Sequence, residues 1–264
     1  MNGINKILSD IKSLKIQGAT NVAIAGVEAY MSKPSTKLRD KILSIRPTEP
    51  LLENSLKMIE KGMSISFIMG HFQNSQNVIN DSTFKIIKNY RGIFTHCHSS
   101  TVVNALIYSK KKKASFRVYN TETRPLYQGR QTARELSLNK IDATIFVDSG
   151  MHEAIEKADV ALIGADAILR EGVINKIGSE VMADICYIHK KPIYVLSDSW
   201  KFTDKNIKIE ERNPEEVWKG APKGIKIRNP AFEKIPKKFI KGIISEFGLL
   251  NYSEFIKRAE RINF

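Results

Sequence analysis

The stretch Gly92-Ile93-Phe94-Thr95-His96-Cys97-His98-Ser99-Ser100-Thr101-Val102-Val103-Asn104-Ala105-Leu106 decides how the chain is read. A short apolar run reaches Thr95. Two imidazoles, a thiol and three hydroxyls follow, and apolar residues then recur at Val102, Val103, Leu106 and Ile107. The period changes from that of a strand to that of a helix across a polar hinge. A helix start presents unpaired backbone N–H groups and so favours an anion. A cysteine placed there is open to a lowered pKa and a part in proton transfer. It is also a residue type that packs as a small buried hydrophobe.

Working outward, short apolar runs at 92–95, 115–119, 143–147, 160–164 and 192–196 alternate with helical segments, and 224–227 reads as a late strand. Strands alternating with helices argue an α/β fold with a mainly parallel sheet. Ligands of such sheets gather at the carboxyl ends of strands, near a topological switch point. The residues after each run are therefore the informative ones. Cys97 follows the first run, and Arg124, Gln128 and Arg130 follow the second. Asp148-Ser149-Gly150 follows the third, Asp166 and then Asn175-Lys176 the fourth, and Lys201 the fifth. Arginine and lysine at those ends suit a phosphate dianion through charge-assisted hydrogen bonds. Asp166 taken alone reads as a helix cap or turn residue.

Upstream, residues 1 to about 85 read as helical, beginning with Ile4, Ile7, Leu8, Ile11 and Leu14 at i+3 and i+4 spacing. Gly18, in Ile16-Gln17-Gly18-Ala19, permits close backbone approach. Pro47 and Pro50 break the next helix and leave Arg46 on a stiff turn, a placement that also fits a solvated surface arginine. Helices at 51–63, 66–72 and 81–90 follow. The division expected is a helical N-terminal domain over 1–88 and the α/β sheet domain over 89–264. Four X-Pro pairs between 213 and 236 mark the tail as loop, and a helix at 253–262 closes the chain against the sheet or a partner subunit.

The composition is that of a globular protein, with 42% hydrophobic and 27% charged residues and no apolar run of membrane-spanning length. Two cysteines at this spacing form neither a disulfide scaffold nor a zinc motif, and free thiols point to a reducing cytoplasm. None of the five histidines has metal-ligand spacing, so no metal is expected. The net charge of +14 calls for an anionic partner, and phosphorylated metabolites suit it. The basic residues are spread along the chain with no RNA-reading aromatic motif or helix-turn-helix pattern, which argues against nucleic acid.

An ordered set of motifs adds a resemblance. Ile-Gln-Gly-Ala (16–19), Thr-His-Cys-His-Ser-Ser (95–100), Thr-Glu-Thr-Arg-Pro-Leu-Tyr-Gln-Gly-Arg (121–130), Val-Asp-Ser (147–149), Gly-Ala-Asp-Ala-Ile (164–168), Asn-Lys-Ile-Gly (175–178) and Lys-Phe (201–202) span nearly the whole chain. Together they resemble the superfamily of the alpha, beta and delta subunits of translation initiation factor 2B. That superfamily includes methylthioribose-1-phosphate isomerase and the archaeal ribose-1,5-bisphosphate isomerase. The resemblance implies a helical N-terminal domain on a Rossmann-like domain, assembly as homodimers or trimers of dimers, and no cofactor. It implies Cys97 and Asp166 as a catalytic pair for aldose–ketose isomerisation. It also implies phosphate or sugar ligands at Gln17, Gly18, Ala19, Arg46, Ser99, Ser100, Thr101, Asn175, Lys176 and Lys201. Two positions depart from the isomerases: Gln17 stands where they carry Arg, and Ser100 where the bisphosphate isomerase carries Lys. Those losses favour a monophosphate, a sensed nucleotide, or a regulatory subunit that associates with translation initiation factor chains and does not turn over a substrate.

Overall fold

The computed structural model describes residues 3–264; residues 1 and 2 of the expected helical domain lie outside it. Five helices come first: α1 (Gly3–Lys12), α2 (Ala19–Ser32), α3 (Thr36–Ile45), α4 (Pro50–Glu60) and α5 (Ile65–Ile87). Their starts are chemically marked. The Ser35 and Ser64 side chains accept from the N–H groups of Leu38 and Phe67, and Pro50 occupies the first turn of α4, where no N–H is needed. The helices close on one another through Val22, Val27, Leu51, Leu52, Leu56 and Ile68.

The remainder is β1 (Gly92–Thr95), α6 (Ser100–Lys111), β2 (Arg117–Thr121), α7 (Gln128–Leu138), β3 (Asp142–Phe146), α8 (Met151–Glu156), β4 (Val160–Ile163), β5 (Ala167–Leu169), β6 (Gly172–Lys176), α9 (Ser179–Ile188), β7 (Ile193–Leu196), β8 (Phe232–Pro236), β9 (Ile240–Ser245), β10 (Gly248–Leu250) and α10 (Tyr252–Ala259). Seven strands form the main sheet in the order β10-β9-β7-β4-β1-β2-β3, parallel except for β10. β1, β4 and β7 are buried throughout, as a strand covered on both faces requires. The chain runs outward from β1 through β2 to β3, then returns to β4 on the other side of β1. That reversal makes the crevice beyond the carboxyl ends of β1 and β4 the topological switch point.

Several sequence expectations are corrected. The helices expected at 66–72 and 81–90 are one helix, α5. Ile68 and Phe72 of α5 pack in the helical cluster, while Ile79 and Ile87 pack on the sheet, so α5 serves both halves of the chain. Residues 224–227 form no strand; Ile225 is exposed in a loop. The tail is not all loop: β8, β9 and β10 lie in it, and β8 joins β5 and β6 in a second, antiparallel sheet. α10 packs on the main sheet through Phe255 and Ile256.

Candidate functional site

The hinge after β1 is built around a strained residue. Cys97 has φ 67°, a left-handed conformation uncommon outside glycine and concentrated at functional sites. Its backbone is clamped on both sides. Its N–H donates to Thr123 Oγ1 at 3.0 Å, and its carbonyl accepts from Thr132 Oγ1 at 2.9 Å. Thr132 has spent its one proton there, so the His98 Nδ1 that lies 3.1 Å from the same hydroxyl is the donor of that pair. His96 is buried between Thr121 Oγ1 at 2.7 Å and the Ile177 carbonyl at 2.9 Å, and burial lowers its pKa. Both histidines that flank the thiol thus fix the loop's shape.

Immediately beyond, Ser99 caps α6 by accepting from Val102 N–H, leaving the first turn open at Ser100 and Thr101. The end of β4 approaches this cap so closely that a Cβ at Gly164 would lie 2.5 Å from Ser99 Oγ, so a glycine is required. That contact delivers Asp166 opposite Cys97. The start of α2 closes the other side. Gly18, at φ 82°, is its cap and supplies no side-chain hydrogen bond, so the helix offers bare N–H groups.

These pieces line one cavity of about 190 Å³. It brings together Cys97 and Asp166 with Gln17, Gly18, Ala19, Arg46, Ser99, Ser100, Thr101, Gln128, Asn175, Lys176 and Lys201, all expected from the sequence. Arg124 and Arg130 are not among its walls. Both are exposed on the α7 side, Arg124 bonded to Tyr127 Oη at 2.6 Å and Arg130 to Glu122 Oε2 at 2.7 Å. The 121–130 loop does not face the ligand as one unit, because Arg124 is bonded to Tyr127 and to the Val217 carbonyl, and Arg130 to Glu122. Glu49 and Arg212 line the cavity and were not anticipated. A carboxylate in a proline-rich turn carries no sequence mark of burial, and Arg212 lies in a segment read as tail.

The site is electrostatically uneven. Enclosure pushes the Cys97 thiol up to about 12, against the pull of the Lys176 ammonium. It raises Asp166 to about 6 against Lys201, Lys176 and Arg46, and Glu49 to about 7 against Arg46. Burial also lowers the Lys176 pKa, which the nearby thiol opposes. Lys201 is oriented by donating Nζ–H to the Ala165 carbonyl at 2.6 Å, next to Asp166. Asn175 is held by Ser179 Oγ at 3.0 Å. At neutral pH the thiol is protonated and the Asp166 carboxyl is largely ionised. No helix among the described residues is long and apolar enough to cross a membrane.

Comparison with known proteins gives a consistent picture. The sequence profile of the Initiation factor 2 subunit family matches residues 15–252. A ribose 1,5-bisphosphate isomerase of Methanocaldococcus jannaschii is 34% identical, covering 95% of this chain and 92% of that protein. The crystal structure of the Pyrococcus horikoshii translation initiation factor eIF-2B superposes with a TM-score of 0.81 at 26% identity, over 95% of this chain and 98% of that one. The fold is also that of 5-methylthioribose 1-phosphate isomerase from Pyrococcus horikoshii, with a TM-score of 0.79 at 21% identity over 98% of this chain and 88% of that one.

Proposed function

The chain belongs to the Initiation factor 2 subunit family, and from that premise we propose that it is a sugar-phosphate aldose–ketose isomerase acting on ribose 1,5-bisphosphate or a related pentose 1-phosphate. The observation that carries this reading is a strained thiol, Cys97, and a carboxyl of raised pKa, Asp166, facing one cavity across the switch point. Two proton-transfer groups of that kind match the reaction. Asp166 in its acid form protonates the ring oxygen as the C1–O bond opens. The Cys97 thiolate takes the C2 proton, leaving an enol that carries the phosphate on C1. The thiol returns that proton to C1, while the C2 hydroxyl gives its own back to Asp166 and becomes the ketone. Each group ends as it began.

This cycle asks that the pair hold one proton between them, and at neutral pH it does, on sulfur. The working form has the same proton count with the proton moved to the carboxyl. Lys176, whose charge lowers the thiol pKa, favours that transfer. The phosphate is placed at the starts of α2 and α6, where Gly18 to Ala19 and Ser99 to Thr101 present N–H and hydroxyl donors. Lys201 and Asn175 complete the grip on the substrate.

The test is ketose formation from ribose 1,5-bisphosphate, ribose 1-phosphate and methylthioribose 1-phosphate, with nucleoside monophosphates as trial activators. Loss of turnover by about 10²- to 10⁴-fold in Cys97→Ser and in Asp166→Asn is expected. Turnover untouched by both replacements would sink the mechanism. A second reading, a non-catalytic regulatory subunit binding a sugar phosphate or nucleotide, is favoured by Gln17, Ser100 and the likeness to the initiation factor structure. It predicts tight ligand binding, no turnover, and a stable complex with translation initiation factor chains. A cytoplasmic protein is proposed in either case. The exposed Ile145 and Val147 at the β3 edge support a homodimer or trimer of dimers, which sedimentation would test.

A further inference from the structure

The +14 charge is spread along the sequence but not over the folded molecule. Six segments, 85–91, 110–117, 140–142, 156–159, 190–191 and 237–241, hold 15 of the 42 Lys and Arg and only 3 of the 28 Asp and Glu. They carry +12 of the +14, so the rest of the chain is almost neutral. Each segment lies where the chain enters one of the six parallel strands β1, β2, β3, β4, β7 and β9. Parallel strands start at one edge of their sheet, so the fold brings the chain back to that edge six times, each time with lysine. This amino edge is on the far side of the sheet from the cavity, which lies beyond the carboxyl ends of the strands.

Two ordinary uses of surface lysine leave most of this charge unaccounted for. Helices α5 to α9 end at the same edge, and each C-terminus carries about half a negative charge, about 2.5 in all against +12. Ion pairs take up three of the 15 cations: Arg117 with Asp142 at 2.7 Å, Lys157 with Glu153 at 3.5 Å and Lys237 with Glu171 at 2.9 Å. Asp159 is engaged by the N–H groups of Arg91 and Gly92. The other 12 cations have no carboxylate partner among the described residues, and 10 of them are exposed.

The partner follows from charge density and side-chain chemistry. Neighbouring strands lie about 4.8 Å apart, so six of them span roughly 24 Å. The 12 unpaired cations over that length make about one per 2 Å, close to the one phosphate per about 1.7 Å of axis in a nucleic-acid duplex. All but Arg91 are lysines, and Arg91 Nη1 already donates to the Ser115 carbonyl at 3.3 Å. Lysine is a flexible point charge that meets phosphates without the planar fork by which arginine reads base edges. We propose that the amino edge of the sheet docks the phosphate backbone of a nucleic-acid duplex without regard to its sequence. Dispersal of the lysines along the chain argues against nucleic acid only until the sheet forms, because a parallel sheet gathers whatever precedes each strand. The surface is independent of the isomerase reading, since a duplex bound there leaves the cavity open.

The experiment is fluorescence anisotropy of labelled RNA and DNA duplexes of about 20 base pairs, titrated with the protein from about 50 to 200 mM KCl. Single-stranded RNA, polyglutamate and phosphatidylserine vesicles serve as competitors. Lys88→Gln/Lys111→Gln/Lys238→Gln removes three exposed charges from the edge, and Lys33→Gln/Lys37→Gln/Lys41→Gln removes three exposed charges around α3. The two variants have the same net charge, so they separate the surface from the charge of the whole chain. The edge variant is expected to bind duplex about tenfold or more weakly and to flatten the log–log salt slope by about 3. The α3 variant is expected to stay within about twofold of wild type, and both should keep the wild-type Tm. Equal losses in the two variants, no duplex binding at the lowest salt, or tighter binding of any of the three competitors overturns the proposal. Equal affinity for RNA and DNA duplexes supports it as shared phosphate chemistry, and a preference for RNA supports it with contacts to the 2′-hydroxyls added.

Discussion

Two clusters of this molecule have nearly the same composition and very different degrees of hydrogen bonding. One joins His71 of α5 to Asp198 after β7 and Glu246 before β10; the other joins Arg46 and Glu49 of the cavity wall to Glu210. Each brings one basic side chain to two carboxyl groups. In the first, His71 Nε2 lies 3.0 Å from both Asp198 oxygens, and Trp200 N–H donates to Asp198 Oδ1 at 2.8 Å. Glu246 accepts from the Ser199 hydroxyl and from the Ser199 N–H, the latter at 3.1 Å. The imidazole also stacks on Trp200 at 4.0 Å. In the second, no member of the trio bonds another. Like composition therefore carries unlike bonding: the first cluster is hydrogen-bonded into the fold through Asp198 Oδ1 and Glu246, although Asp198 Oδ2 accepts no hydrogen bond, and the second is held by charge alone.

The largest effect expected from breaking this contrast is on the hydrogen-bonded cluster around His71. Burial alone would lower the His71 pKa, but its hydrogen bond to Asp198 and the charges of Asp198 and Glu246 raise it. His71→Ala removes the cation from between two buried carboxyl groups and the ring that stacks on Trp200. Breaking such a pair costs about 3–5 kcal/mol, which in a chain of this size lowers Tm by roughly 10 °C. Arg46→Gln in the second cluster is expected to cost far less, because its side chain has no hydrogen bond to lose and Glu49 can neutralise itself by protonation. Thermal and urea unfolding of the two variants side by side measures the difference. Equal losses would erase the distinction between the clusters.

The second effect has the opposite sign. Burial raises Glu49 from 4.5 to about 7 and Asp166 from 3.8 to about 6. The folded state then binds more protons than the unfolded chain across those windows. The stabilisation that these groups contribute is present below pH 4 and is lost as pH rises toward 7. Each is worth on the order of 3 kcal/mol at full ionisation, so Glu49→Gln is expected to stabilise the ligand-free protein at pH 8 while lowering kcat/KM. Urea denaturation at pH 5 and pH 8 tests both sign and size. A variant less stable than wild type at pH 8 would show that the carboxylate is paired after all.

A third effect concerns rate alone. In the proposed mechanism the Asp166–Cys97 pair works with one proton, so a second proton leaves Cys97 a thiol beside an acid Asp166 and blocks removal of the C2 proton; kcat/KM is expected to fall about tenfold per unit below a pH near 6 and to level above it. A profile flat through pH 5 would remove Asp166 from proton transfer.

How far the sequence reveals this contrast depends on the kind of signal. The strand-to-helix change at 92–106 located Cys97, and the alternation after it placed five parallel strands within a few residues of where they lie. Those signals are periods in apolar residues, and they survive because these strands and helices each bury one consistent face. α5 lost its period because its apolar stripe leaves one cluster at Phe72 and joins the other at Ile79, with polar residues between. The β5–β6 hairpin and β8 are short and carry Gly172 and Pro236, which read as turn chemistry. The pairing state of a carboxylate has no sequence signature at all. Glu49 and Glu246 look alike in one dimension and differ only in which N–H and O–H groups the fold brings to them.

The smallest expected effect is a pair of near-silent replacements. Arg124 and Arg130 stand on the α7 side, where Arg124 bonds the Tyr127 hydroxyl and, at 2.9 Å, the Val217 carbonyl. Arg130 pairs with Glu122 and lies over the Tyr127 ring at 3.7 Å. Both are exposed, and solvent-screened contacts of this kind contribute roughly 0–1 kcal/mol. Their donors are already engaged, the reverse of Arg46, so Arg124→Ala and Arg130→Ala should each leave kcat/KM within about twofold of wild type. A loss of more than about tenfold with Tm unchanged would mean that the ligand reaches across the α7 start, or that a second copy of the chain completes the site there. Sedimentation of the variant separates these outcomes, since only the second ties the lost activity to dissociation.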